Sequence, residues 1–126
     1  MSGRDEARTL LARLVTAYNE KDRVALERLY APSIRVWSAL GVETEGKAAA
    51  LDHVDELFAK LPDETMSAET VITNGDTLVV EMTSRGSDGS GQPYEIRFTE
   101  VLEIDGGEIT EIRTYLDPED VAAISH

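Results

Sequence analysis

Glu100 is the side chain whose position calls for a chemical explanation. Segment 94–104 alternates, with Tyr94, Ile96, Phe98, Glu100, Leu102 and Ile104 on one face and Glu95, Arg97, Thr99, Val101 and Glu103 on the other. Burying the second face would strand several charges, so the first must face the interior. Glu100 then stands in an apolar row. Two readings are open: an acid near a sheet edge paired with an arginine or lysine, or a carboxyl at the wall of a cavity. In the second, desolvation raises the pKa, and the group serves as an acid or hydrogen-bond donor. Phe98 and Leu102 would line the wall beside it.

Few other side chains can join it. Tyr18 lies one turn beyond Leu14 on an apolar helical stripe, as a hydroxyl partner or a core tyrosine with its hydroxyl at the rim. His53 borders the stripe of a later helix; it is solvated or structural, or it reaches the cavity with the one unperturbed pKa suited to proton transfer near neutrality. Glu100 with His53 or Tyr18 would make an acid–base couple. Trp37 and Ser38 alternate on a strand, so only one of them faces inward. Asp52, His53, Asp55 and Glu56 lack metal-ligand spacing and point in different directions on a helix. The glycine- and serine-rich stretch 86–91 joins two strands and lacks the lysine of a phosphate loop. No GxSxG string occurs, cysteine is absent, and His126 is the last residue. No metal or cofactor is expected.

The elements that position these residues follow from periodicity. Residues 5–20 form an amphipathic helix on Leu10, Leu11, Leu14, Val15 and Tyr18. A short helix follows from Asp22, an N-cap, to Tyr30, with Pro32 as its stop. Residues 34–40 read as a strand, and 46–61 as a third helix buried through Ala50, Leu51, Val54, Leu57, Phe58 and Leu61. The period then changes. Residues 65–73, 77–85, 94–104 and 108–116 alternate, separated by hairpin signals such as Asn74-Gly75-Asp76 and Asp105-Gly106-Gly107. Ile112, Thr114 and Leu116 share one face of the last strand, with Ile109 and Tyr115 on the other. Asp117-Pro118 opens a short final helix. The layout is one α+β domain spanning 1–126, with three helices on one face of an antiparallel meander. Val71, Val79, Val101, Ile109 and Tyr115 among the outer charges suggest that this face covers a second copy as an isologous homodimer.

Composition sets outer bounds. The 126 residues carry a formal charge of −13 and no cysteine. Such a charge opposes the counterion-release binding that nucleic acids and anionic membranes demand. Missing cysteines exclude disulfides and thiolate chemistry. Neither a signal-peptide core nor a membrane-length apolar run occurs, which gives the expectation of a soluble, cytoplasmic protein.

The runs LLARLVTAYNEKDRVALERLYAPSIRVW, EGKAAALDHVDELFAKL and GGEITEIRTYLDP resemble the nuclear-transport-factor-2-like superfamily, within it the ketosteroid-isomerase and SnoaL-like polyketide-cyclase group. The resemblance covers nearly the whole chain. It implies a cystatin-like cone, a curved antiparallel sheet wrapped around three helices with an apolar pocket at one end, and dimers through the sheet. Its isomerase oxyanion tyrosine would fall at Leu14, its general base at Ser38, its supporting tyrosine at Val54 and its second oxyanion acid at Glu100. The pocket aspartate of cyclase and epoxide-hydrolase relatives would fall at Thr114. Only Glu100 keeps the chemistry, which argues against ketosteroid isomerisation.

The expectation is therefore a SnoaL-like pocket protein binding a small, mostly apolar ligand with a carbonyl or hydroxyl group. As an enzyme it would be a cofactor-free isomerase, cyclase or hydrolase using Glu100, Tyr18 and His53. Leu14, Trp37, Ser38, Val54, Phe58, Phe98, Leu102, Thr114 and Leu116 would line the site. The alternative is a non-catalytic ligand-binding or dimerisation domain of the same fold.

Overall fold

The computed structural model describes residues 3–122, so His126 lies outside the described residues. Helix α1 (Gly3–Asn19) packs its Leu10, Leu11 and Leu14 stripe inward, and α2 (Arg23–Leu29) follows after a turn. Asp22 caps α2, its carboxylate accepting from the Ala25 amide at 3.1 Å. Strands β1 (Tyr30–Ser38) and β2 (Glu43–Glu45) precede α3 (Lys47–Lys60). The meander β3 (Thr65–Asn74), β4 (Thr77–Ser87), β5 (Pro93–Asp105) and β6 (Glu108–Tyr115) comes next, and α4 (Pro118–Ala122) ends the described chain.

The six strands form one curved sheet in the order β2-β1-β6-β5-β4-β3. The meander is antiparallel, as its hairpin signals predict. The turn between β5 and β6 uses Gly106 and Gly107, both at positive φ (59° and 81°), the combination that lets two residues connect right-twisted strands. The sheet as a whole is mixed, because β1 lies parallel to β6. Leu26, Ile34, Leu78, Leu102 and Ile109 are fully buried where the helices meet the sheet.

Three local expectations need correction. Pro32 does not stop the second helix: the chain is already extended at Tyr30, and Pro32 lies in β1 where the register against β6 shifts. A bulge absorbs a residue that cannot donate to the ladder. The three-residue β2 escaped notice because Glu43-Thr44-Glu45 carries no apolar alternation; it is a short, charged edge. Ile109 faces the core, not the outer surface, because the β5–β6 register shifts between Glu103 and Ile104 and flips the residues beyond it.

The outer sheet surface carries a chain of part-buried to exposed ion pairs. Arg113 pairs with Glu103 (3.1 Å) and with Glu111, and Arg35 reaches Glu111 at 3.0 Å. Among the described residues no helix is long and apolar enough to cross a membrane.

Candidate functional site

The inner face of β5 is the one its alternation predicts, with Ile96, Phe98, Leu102 and Ile104 buried. Between this face, α1 and α3 lies a cavity of about 180 Å³ whose walls include Tyr18, Ser38, His53, Glu64, Ser84, Phe98, Glu100, Thr114 and Leu116. A lobe of about 90 Å³ shares Tyr18, His53, Glu100 and Thr114 with it and adds Leu14, Tyr30 and Val54. Both volumes fall below the roughly 300 Å³ at which drug-sized pockets begin, which suits a small ligand.

Glu100 occupies the wall common to both spaces. Glu100 is half-buried as a residue. Burial pushes its pKa up from 4.5 to about 7; the Thr114 hydroxyl, donating at 3.1 Å, opposes the rise, and the nearby charge of Glu64 adds to it. No lysine or arginine lines either space. A carboxyl in this state divides between acid and base close to neutral pH. It can therefore give a proton to a ligand oxygen.

Tyr18 reaches the cavity but does not pair with Glu100. Its hydroxyl donates to Glu64, a residue that periodicity left unmarked. Glu64 follows α3 directly before β3 and is 6% exposed. One of its carboxyl oxygens accepts from Tyr18 and the other from the Ser84 hydroxyl. Burial raises the Tyr18 phenol far above its ordinary value, and Glu64 raises it further, so Tyr18 keeps its proton and remains a donor. Burial and the neighbouring Glu100 raise the Tyr30 phenol likewise. His53 lines both spaces; burial lowers its pKa and Glu56 partly offsets the effect, which favours the neutral imidazole.

The remaining expected site residues divide. Leu14 and Val54 line the smaller lobe; Ser38, Phe98 and Leu116 line the larger, and Thr114 lines both. Phe58 stands behind the wall, its ring edge-on to Tyr18 with centroids 5.2 Å apart. Leu102 is fully buried in the core and lines neither space. Trp37 points to the outer face, where its ring centroid lies 5.1 Å from that of Tyr115; strand alternation gives the inward position to Ser38. The Ser38 hydroxyl accepts from the Leu40 amide at 3.1 Å and so organises the turn after β1.

Glu64 and Ser84 are the site residues that pattern reading passes over. Ser84 continues the inward set Leu78, Val80 and Met82 along β4, so its alternation was a usable signal. Glu64 sits in Pro62-Asp63-Glu64, which reads as a solvated acidic turn. Its contacts with Tyr18, Lys21 and Ser84, all distant in sequence, carry it inward.

A curved mixed sheet closing over three helices, with a cavity between them, defines the nuclear-transport-factor-2-like class of α+β folds. The comparisons with known proteins agree. The chain belongs to the SnoaL-like domain family, whose model matches residues 11–112. A proposed SnoaL-like polyketide cyclase from Jannaschia sp. CCS1 superposes with a TM-score of 0.86 at 22% identity, over 95% of this chain and 91% of that one. A ketosteroid-isomerase-like protein from Catenulispora acidiphila, solved with trimethylamine, gives 0.83 at 20% identity, covering 92% and 91%. An epoxide hydrolase from M. tuberculosis gives 0.82 at 16% identity, covering 94% and 88%. These likenesses establish the fold. No curated protein sequence matches the chain.

Proposed function

We propose that the protein binds a small, mostly apolar ligand carrying a carbonyl or hydroxyl group and performs cofactor-free proton transfer or water addition on it. Glu100 is the acid or hydrogen-bond donor. One observation carries this reading: a carboxyl with a pKa near 7 on a cavity wall that holds no lysine or arginine. Structural costs argue the same way, since an acid buried without a cation is unfavourable for stability and is retained most readily where it has work to do. Proteins of the same fold include a proposed cyclase and an epoxide hydrolase, reactions within this range.

A second reading has its own support. Ser38, at the position where the family resemblance places a general base, uses its hydroxyl in a turn. In that reading the cavity sequesters its ligand unchanged.

Native mass spectrometry of the purified protein, followed by identification of any retained small molecule, separates the two. The catalytic reading expects that molecule, or its tautomer or hydrate, to be converted by the wild type. Glu100→Gln should then turn over at least about 100-fold more slowly while still binding. Unchanged turnover in a folded Glu100→Gln variant rejects the assignment, and retention without conversion supports sequestration.

A further inference from the structure

We propose that Glu64 is the general base of this cavity, working across the ligand from Glu100. The inference rests on the cavity reading above and adds the group that the family resemblance leaves missing. Ser84, which holds Glu64, lies four residues along β4 from Val80, the residue paired with Glu100. At about 3.3 Å per residue the two anchoring points are about 13 Å apart. Both glutamates line the same cavity.

Their surroundings differ in the way an acid and a base require. Each oxygen of Glu64 accepts from a hydroxyl, Tyr18 on one and Ser84 on the other, an arrangement that suits an acceptor-only carboxylate. Glu100 accepts from the Thr114 hydroxyl.

The backbone around Glu64 is fixed with unusual care. The Lys21 ammonium donates to the Glu64 carbonyl at 2.7 Å, and Lys21 adopts φ 57°, a left-handed conformation uncommon outside glycine. Asn19 holds both the amide and the carbonyl of Met66, at 2.7 and 2.8 Å.

The chemistry balances without a cofactor. Glu64 takes a proton from a carbon next to a carbonyl. The C–H electron pair becomes the new C=C bond, the carbonyl π pair moves to oxygen, and Glu100 protonates that oxygen. Glu64 ends neutral and Glu100 ionised, and return of the proton from Glu64 to the same carbon, on either face, with return of the oxygen proton to Glu100 restores both. The ligand class is thus a compact enolisable carbonyl compound.

The test uses 5-nitrobenzisoxazole, a small apolar carbon acid. A base removes its ring C–H proton as the N–O bond breaks, giving a nitrile and a coloured phenolate that needs no acid to leave. At pH 6, where Glu100 is mostly protonated, the wild type should exceed acetate at equal carboxylate concentration by at least 100-fold. Glu64→Gln should lose tenfold or more, and Glu64→Asp should fall between. Should Glu64→Gln fail to fold, Glu64→Asp carries the test. A wild type no faster than acetate, or a folded Glu64 variant at the wild-type rate, overturns the assignment. Saturation-transfer NMR of the probe separates the causes: probe bound without turnover removes the base and leaves the cavity reading, whereas probe that does not bind removes both.

Discussion

The Tyr18 hydroxyl hydrogen-bonds Glu64, which leaves Glu100 with Thr114 as its partner. This one relationship gives two buried acids different hydrogen-bond partners. Had Tyr18 turned to Glu100, the donor would have favoured that ionised carboxyl and worked against the rise in its pKa. With Tyr18 engaged elsewhere, desolvation dominates at Glu100, and the cavity gains a group that titrates near neutrality.

The titration of Glu100 should appear as a stability difference between pH values. Its folded pKa, about 7, lies above its ordinary 4.5, so the native state binds this proton more tightly than the unfolded chain does. The resulting stabilisation is fully present below about pH 4.5 and is lost as pH rises to about 7. The shift corresponds to on the order of 3 kcal/mol. Glutamine cannot titrate, and comparison with it cancels the other acids. Urea unfolding of wild type and Glu100→Gln from pH 4.5 to 8 should therefore give curves that diverge, with the variant gaining relative to wild type as pH rises. Parallel curves would mean that Glu100 is not desolvated.

Asn19 should be a larger stability determinant than its place at a helix end suggests. Its amide makes two hydrogen bonds to the backbone of Met66, at 2.7 and 2.8 Å, and these tie the start of edge strand β3 to α1. Asn19→Ala removes both and leaves water to replace them at a part-buried site. The expected loss is about 1–2 kcal/mol, read from the urea midpoint. Hydrogen exchange at the Met66 amide should quicken while the β5 interior stays protected. Unchanged exchange at Met66 would count against the clamp.

The sequence makes these layers legible to different depths. Periodicity located α1, α3 and the four meander strands because each buries one face only, and the same alternation singled out Glu100. It misassigned Ile109 because a one-residue bulge inverts every later side chain, and that bulge has no signature in the types around Thr110. Alternation alone leaves Trp37 and Ser38 undecided; the family resemblance favours Ser38 as the inward residue, and Ser38 is the buried one. Glu64 was hidden for a different reason. Its burial depends on three partners brought together from α1, β4 and the turn after α1. Such convergence is a property of the assembled fold and not of any local window.

The outer sheet face should bind a second copy of the chain. Trp37 and Tyr115 lie against each other there, 37% and 46% exposed, beside the linked ion pairs of Arg35, Glu111, Arg113 and Glu103. A twofold axis would set aromatic surface against aromatic surface and could exchange the alternating charges between copies. Each chain, however, brings a net charge of −13, so long-range repulsion opposes the approach. The two effects predict a specific salt response. Light scattering at micromolar concentration should report twice the 13.8 kDa chain mass, with the dimer tightening as sodium chloride rises from 50 to 500 mM and screens the repulsion. Tyr115→Ala should weaken association at every salt concentration and leave probe binding in the cavity unchanged, since Tyr115 lines neither cavity space. A 13.8 kDa mass throughout would show this face to be solvent-exposed in the working protein.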